Sequence, residues 1–231
     1  MAKILLIIIG VQGYKQFNWY YDNRIHNCGN IGLGGKFHAL TAKLSSNIID
    51  QIAYNGEDVR LKSIMQLSNY IYDDKNINIL DIGCGVGIST NALHKVFPKS
   101  NIIGLDCSYS MIKQCKVQNN IQYIKGFAHN NNLQSCKYNL VNCMFLLHEV
   151  PYHGRQEILD EVYRLLVPGG ILNVMDIRLN YKPNKAMLSG EPYLLDYLNT
   201  FDKQIKNHEI SAKYISKINN DKNFHNIYIK V

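Results

Sequence analysis

Short apolar runs alternate along the middle of the chain with segments whose apolar residues recur at helical spacing. The runs predict buried strands, and the spacings of three and four predict helices. Strict alternation of the two favours parallel strands with helical crossovers on both faces of the sheet. The pattern predicts strands at 77–82, 101–105, 121–125, 138–144 and 170–177, and helices at 88–96, 108–117, 152–166 and 192–205.

Two helices are expected before this core. Apolar residues at every fourth position predict an amphipathic helix over 37–53, with the stripe Leu40, Leu44, Ile48 and Ile52. Asp58 is a candidate N-cap of a second helix. Both helices are expected to cover one side of a cleft at the sheet.

The strongest local pattern is the stretch 79–93. An apolar run ends in Gly83, Gly85 and Gly87, and helical spacing resumes at Ile88. Glycines let a ligand lie against the backbone, and the start of a helix offers free N–H groups. The dinucleotide fingerprint places a third glycine where Ile88 stands, which argues against an NAD-dependent oxidoreductase.

The order of four motifs resembles the class I S-adenosylmethionine (SAM)-dependent methyltransferases, of the type 11/25-like group. Asp81 precedes the glycine loop, Asp106 ends the second strand about twenty residues on, strand 138–144 looks like the family's fourth, and 164–172 looks like its Arg-x-Leu-x-Pro-Gly-Gly-x-Leu turn. The resemblance covers roughly residues 77–177. It implies a Rossmann-like three-layer sandwich with a mostly parallel seven-stranded sheet, an antiparallel C-terminal hairpin and a helical N-terminal cap.

The resemblance implies SAM as cofactor. Asp106 would accept from the ribose hydroxyls, and Met111 would pack on the adenine. Asp81 would fix the loop and reach toward the amino group, directly or through water. Many members carry Gly-Asp-Ala after the third strand, whereas this chain has Phe127 in place of the acid, either stacked on the adenine or in the wall. The full predicted cofactor set is Asp81, Gly83, Cys84, Gly85, Gly87, Asp106, Cys107, Met111, Phe127, Ala128 and Asn142.

Candidates for the acceptor side follow the fourth and fifth strands. His148 is a candidate general base, and Glu149 would orient it or pair with the substrate. The alternative is that both residues only hold the loop. Asp176 and Arg178 are further candidates. Methyl transfer requires no metal, and the sequence predicts no metal site.

The segment 12–36 is rich in aromatic residues and then in glycine. It is expected to be irregular, and Tyr20, Tyr21 and His26 are candidates for a lid over the site. A packed N-terminal cap is the equal alternative. The expected organisation is one compact unit, with the cap and its helices at 1–76 and the SAM-binding part at 77–231.

Composition adds limits. The formal charge of +7 suits an anionic partner, but the basic residues are spread along the chain. Six cysteines without zinc spacing predict reduced thiols and a cytoplasmic protein. The apolar run 4–11 is too short to span a bilayer, and no membrane partner is expected. The run also resembles a short signal-peptide core, so targeting stays as a minor alternative. A small-molecule acceptor is preferred; an RNA or protein methyltransferase, or a non-catalytic SAM-binding subunit, stays as an alternative.

Overall fold

The computed structural model describes residues 18–71, 75–208, 212–217 and 223–230. Its strands form a seven-stranded sheet in the order β3-β2-β1-β4-β5-β7-β6. Strands β1 to β5 pair in parallel, and β7 is antiparallel to both β5 and β6. The Rossmann-like fold with an antiparallel C-terminal pair is therefore confirmed. The strands are β1 (Asn78–Ile82), β2 (Asn101–Asp106), β3 (Ile121–Lys125), β4 (Tyr138–Met144), β5 (Leu166–Ile177), β6 (Ala212–Lys217) and β7 (Asn223–Lys230).

Helices cover both faces of the sheet. Short 3-10 turns also occur at Trp19–Tyr21, Ile25–Asn27, Gln66–Asn69 and Leu147–Glu149. The helix predicted over 108–117 is only one turn long, at Tyr109–Ile112. The helix Lys185–Gly190, which comes just before the helix predicted over 192–205, was not predicted. The helices are α1 (Gly32–Tyr54), α2 (Val59–Met65), α3 (Ile88–Val96), α4 (Tyr109–Ile112), α5 (Tyr152–Leu165), α6 (Lys185–Gly190) and α7 (Leu194–Asn207).

The core lies on both sides of the sheet because successive strand residues point to opposite faces. On β1, Leu80 packs into one cluster with α5 and α7, through residues such as Leu159 and Phe201. Its neighbour Ile79 packs into the other cluster, with Ile64 of α2 and Leu93 of α3. Asp58 caps α2 as expected, since its Oδ1 accepts from the Leu61 N–H at 2.9 Å.

Helix α1 begins at Gly32 rather than at Phe37. The glycines before Phe37 were expected to form an irregular turn, but three of them, Gly32, Gly34 and Gly35, lie within the helix. A Cβ on Gly34 would fall 1.6 Å from the Cys28 carbonyl oxygen, and one on Gly35 would fall 2.4 Å from that of Asn30. The glycines therefore let the first turn of α1 lie directly against the preceding chain.

The apolar stripe of α1 faces outward. Leu40 is 72% exposed and Ile52 is 78% exposed, whereas Ala39 and Ala42 are buried. These alanines pack with Val86 and Met111, so α1 approaches the glycine loop and α4 through its smallest residues. The predicted helix is present, but its apolar stripe is not the face that packs on the core.

None of the described helices combines the length and the apolar character needed to cross a bilayer. The apolar run 4–11 lies outside the described residues. All six cysteines are free thiols, and Cys143 is buried in β4 as expected.

A buried arginine that the sequence analysis did not single out joins α5 to α7. The Arg155 side chain is fully buried. Its guanidinium donates to Gln204 Oε1 at 2.9 Å, the Val150 carbonyl at 2.6 Å and Thr200 Oγ1 at 2.7 Å. It also pairs with Asp196 at 3.0 Å. Removing it would leave several buried acceptors without a donor.

We expect Arg155→Met to lower the free energy of unfolding by about 3 kcal/mol, because the buried acceptors that share its guanidinium lose that donor. Denaturant unfolding measures the change. The matched control is Lys206→Met, which breaks an exposed ion pair with Asp202 and should cost less than about 1 kcal/mol. Equal losses in the two variants would contradict the assigned role of Arg155.

Candidate functional site

A cavity of about 1220 Å³ opens at the carboxyl ends of the parallel strands. The loops after β1, β2, β3 and β4 line it, and α1 and the segment before α1 cover it. Ligands of open α/β sheets bind at this edge. The volume exceeds that of an ordinary single-ligand pocket, so it has room for two molecules side by side.

The glycine loop after β1 forms part of the floor. Gly83, Gly85 and Gly87 all have positive φ, at 67°, 53° and 82°. A Cβ on Gly85 would meet nothing within 4 Å, since it would point into open space. A Cβ on Gly87 would fall 2.7 Å from the Tyr123 hydroxyl. Gly85 thus leaves room for a ligand, whereas Gly87 leaves room for a protein side chain.

Asp106, at the end of β2, closes the loop from the other side. Its Oδ2 accepts from the Gly85 N–H and its Oδ1 from the Ser108 N–H, both at 2.8 Å. Each oxygen keeps a second lone pair for a ligand. Burial raises the pKa of Asp106 to about 6, although the two backbone hydrogen bonds oppose the shift.

Asp81 and Asn142 lie beneath the cavity instead of in its wall. Asp81 is 1% exposed and accepts from Ser89 Oγ, Thr90 Oγ1 and Asn142 Nδ2 at 2.6–2.7 Å. Its carboxylate is occupied by these three donors. These contacts hold the helix after the loop to the strand before it. A contact of Asp81 with a ligand's amino group, directly or through water, stays a prediction, and so does a ligand contact of the buried Asn142.

A line of hydrogen bonds continues from Asn142 across the sheet. Asn142 Oδ1 accepts from Asn173 Nδ2 at 2.7 Å, and Asn173 Oδ1 lies 2.8 Å from His225 Nε2. The same ring nitrogen lies 2.8 Å from Ser63 Oγ on α2. Burial lowers the pKa of His225 to about 4, so the imidazole is neutral at pH 7. We refer to Asp81, Asn142, Asn173, His225 and Ser63 as the polar line.

The other predicted cofactor residues are brought together. Phe127 packs on Tyr20, with ring centroids 4.4 Å apart. Met111 is buried. Of the predicted set, the lining of the cavity includes Gly83, Cys84, Gly85, Asp106, Cys107, Met111, Phe127 and Ala128; as far as the described residues define that lining, it omits Asp81, Gly87 and Asn142.

His148 lies at the opposite end of the cavity from β2, after β4. The residue is 6% exposed, and its Nδ1 lies 2.6 Å from Asp176 Oδ1. Asp176 Oδ2 also accepts from the Leu147 N–H at 2.8 Å. Burial lowers the pKa of His148, but the charge of Asp176 and the hydrogen bond to it outweigh burial and raise the pKa to about 9. Asp176, and not Glu149, fixes the ring.

Glu149 pairs with the N-terminal segment. Its Oε1 lies 2.9 Å from His26 Nε2, and the Nδ1 of the same ring lies 3.1 Å from Glu191 Oε1. Burial disfavours a charged His26, but the two carboxylates raise its pKa to about 11. His26 has a left-handed backbone, with φ at 52°, a strained conformation for a residue with a side chain.

Part of the N-terminal segment covers the cavity. Trp19, Tyr20 and His26 line it, whereas Tyr21 is 57% exposed. Glu191, which follows α6, had no signal in the sequence because its contacts are made with residues far away in the chain. Its neighbour Pro192 marks only a break between helices.

Residues 79–170 match the family model described as a methyltransferase domain. Among curated proteins, the chain is 30% identical over 113 residues to carboxy-S-adenosyl-L-methionine synthase of Pseudoalteromonas translucida, covering 44% of this chain and 45% of the synthase. It is 30% identical over 145 residues to ubiquinone biosynthesis O-methyltransferase of Coxiella burnetii, covering 61% of this chain and 58% of that protein. The matched regions thus span about half the length of these relatives.

The fold also has solved counterparts. The crystal structure of a SAM-dependent methyltransferase from Aquifex aeolicus superposes with a TM-score of 0.58 at 17% identity. The superposition covers 78% of this chain and 97% of that one. At this identity the likeness concerns the fold.

Proposed function

We propose that this chain, whose residues 79–170 form a methyltransferase domain, transfers a methyl group from SAM to a small-molecule acceptor. The observation that carries the proposal is Gly85, whose missing side chain leaves open space in the cavity beside the Asp106 carboxylate. The relatives' names support the donor, since they include SAM-related synthesis and O-methylation. The acceptor itself is unidentified.

We call the part of the cavity lined by Gly85, Asp106, Met111 and Phe127 the cofactor half, and this lining fits SAM. The open side of Gly85 would admit the ribose and the methionine portion against the backbone. Asp106 keeps free lone pairs that can accept from both ribose hydroxyls. Phe127 and Met111 offer apolar surface for the adenine in place of the acid found in many family members. The sulfonium of SAM supplies an activated methyl group for in-line displacement.

We call the part of the cavity lined by His26, His148, Glu149 and Glu191 the acceptor half. This part would position the acceptor molecule and remove its proton. His148 Nδ1 is held by Asp176, so in the neutral ring, which becomes populated as pH rises toward the raised pKa of about 9, Nε2 is the atom that can take a proton. For an O–H acceptor, the oxygen forms the new bond to the methyl carbon, and its proton goes to His148 Nε2. The carbon–sulfur electron pair stays on sulfur, which becomes a neutral thioether. Trp19, Tyr20 and His26 would act as a lid that excludes water.

The direct test of the proposal is isothermal titration of the purified protein with S-adenosylhomocysteine, with NAD as the control ligand. We expect micromolar binding of S-adenosylhomocysteine and no binding of NAD. Binding of neither ligand would contradict the assignment of the cavity. Formation of S-adenosylhomocysteine from SAM, measured with a panel of small alcohols, phenols and amines, then identifies acceptors.

We expect Gly85→Ala to weaken S-adenosylhomocysteine binding roughly tenfold to hundredfold, because the added methyl group occupies the cofactor's space and costs about 1–3 kcal/mol. Titration calorimetry measures the change.

Gly169→Ala is the matched control. Gly169 also has positive φ and open space at its Cβ position, but it lies outside the cavity lining. Both variants therefore carry a similar backbone penalty of about 1–2 kcal/mol. Similar affinities in the two variants would remove Gly85 from the proposed cofactor site.

We expect the affinity for S-adenosylhomocysteine to fall about tenfold between pH 7.5 and pH 5. The ribose contact needs the carboxylate form of Asp106, whose pKa is raised to about 6. Below that pH the group gains a proton and loses its charge, so binding weakens as pH falls. Asp106→Asn should bind weakly at both pH values. A variant that keeps the pH dependence of the wild type would show that another group causes it.

We expect His148→Gln to lower kcat about 100-fold or more with an O–H acceptor, while S-adenosylhomocysteine binding stays unchanged. The reason is that glutamine fills the space but cannot take the proton. His153→Gln is the control, because His153 is exposed on the next helix. An equal loss of binding and turnover in His148→Gln would favour a purely structural role for His148.

A further inference from the structure

Three side chains meet in the acceptor half of the cavity, and the chemistry proposed above does not use them together. His26, Glu149 and Glu191 each place a nitrogen or oxygen atom within 4.8 Å of one such atom from each of the others. They come from the segment before α1, the turn after β4 and the residue after α6. We refer to these three residues as the His–Glu cluster.

The His–Glu cluster is largely buried. The side chains of Glu149 and Glu191 are 16% and 12% exposed, and that of His26 is 25% exposed. Removing two carboxylates from water is costly unless each charge is compensated. One imidazolium between two carboxylates compensates half of the negative charge.

The cluster also has unused capacity for bonding. Within the part of the chain that the structure describes, Glu191 Oε2 is buried and has no hydrogen-bond partner. His148 Nε2 lies 3.9 Å from this oxygen, beyond hydrogen-bond distance. His148 is itself 94% buried, at 6% exposure. Glu191 Oε2 and His148 Nε2 are therefore polar atoms of largely buried side chains that lie too far apart to form a direct hydrogen bond.

The charged side chains around the cluster indicate whether a bound group would be a cation or an anion. Asp176, Glu149 and Glu191 carry three negative charges, and His26 and His148 carry at most two positive ones. The surroundings of Glu149 include one neutral donor, Asn30 Nδ2 at 3.2 Å, and Asn30 is in turn held by His38 at 3.2 Å. The local balance is negative, which favours a cation.

We propose that His26, Glu149 and Glu191 bind a divalent transition-metal ion such as Mn²⁺, Co²⁺ or Zn²⁺. One imidazole nitrogen, made available when His26 releases a proton to solvent on metal binding, and two carboxylate oxygens suit this class of ion. Three protein ligands leave coordination positions open, as catalytic metal sites require. Asn30 would orient the Glu149 carboxylate, and such supporting contacts tune affinity.

The consequence for catalysis rests on the proposed function. The cluster lines the same cavity as His148, so the open positions would face the acceptor. They suit an acceptor with two neighbouring oxygens, such as a vicinal diol, a catechol or a hydroxy acid. A bound metal ion favours ionisation of a coordinated hydroxyl, and His148 in its neutral form would receive the proton at Nε2. The metal ion would thereby both select the acceptor and favour ionisation of its hydroxyl group.

The test is direct metal binding to the full chain. The protein is treated with EDTA, dialysed and titrated with Co²⁺ and with Mn²⁺. We expect one equivalent of metal per chain, and a visible Co²⁺ spectrum of nitrogen and oxygen ligands without thiolate charge-transfer bands. Glu191→Gln and His26→Gln should each weaken binding at least about tenfold. The control is Glu57→Gln, because Glu57 is an exposed carboxylate beside Lys62.

S-adenosylhomocysteine binding, measured on the same samples, separates the possible failures. A variant that binds S-adenosylhomocysteine normally is folded, so its loss of metal binding reports on the cluster. If Glu191→Gln fails this check, His26→Gln replaces it, because His26 lies outside the sheet and its main helices. Absence of metal binding up to millimolar concentration would overturn the metal site while leaving the proposed function intact. Unchanged metal affinity in both variants, or thiolate bands in the Co²⁺ spectrum, would overturn it equally.

Discussion

A buried row of side-chain hydrogen bonds crosses the sheet roughly at right angles to its strands, and the position of the cavity depends on it. This polar line starts at Asp81 on β1 and passes through Asn142, Asn173 and His225 to Ser63 on α2. Asp81 pairs in register with Asn142, and Asn142 with Asn173. A shift of one residue in any of these strands would turn a polar side chain to the other face and leave its neighbours unsatisfied. The line therefore fixes where β1, β4 and β5 end relative to one another.

The first member of this line also connects the sheet to the glycine loop. Asp81 accepts from Ser89 and Thr90 in the first turn of α3, so the helix after the loop is held to the strand before it. Burial raises the pKa of Asp81 even against its three hydrogen bonds. Asp106 lines the cavity at the end of β2, whereas Asp176 is fully buried at the end of β5. The first shapes the loop and keeps lone pairs for a ligand, and the second holds His148. Three acids near three strand ends thus have different roles because they contact different partners.

The sheet and the place of Gly85 and Asp106 in the cavity lining could be predicted from the sequence because their signals are local. Gly85 and Asp106 each follow directly from a buried strand, and the alternation of apolar runs placed every parallel strand. Helix α1 shows where local reasoning fails. Its most apolar stripe was its most conspicuous feature, yet Ala39 and Ala42 form the buried face. Close approach to Val86 and Met111 requires small residues, and hydrophobic periodicity gives small residues little weight.

The residues of the acceptor half could not be predicted to the same extent, because they lie far apart in the chain. Its residues stand on turns that meet only in the folded molecule: His26 before α1, Glu149 after β4 and Glu191 after α6. A strand end has its place fixed by the backbone pairing of the sheet, whereas a turn has its place fixed by contacts with other turns. Sequence motifs therefore reflect positions that strand pairing fixes, and they do not reflect positions that contacts between turns fix. If the sheet edge binds the methyl donor as proposed, the turns can change the acceptor while the sheet stays the same, and the proposed metal ligands His26, Glu149 and Glu191 stand on such turns.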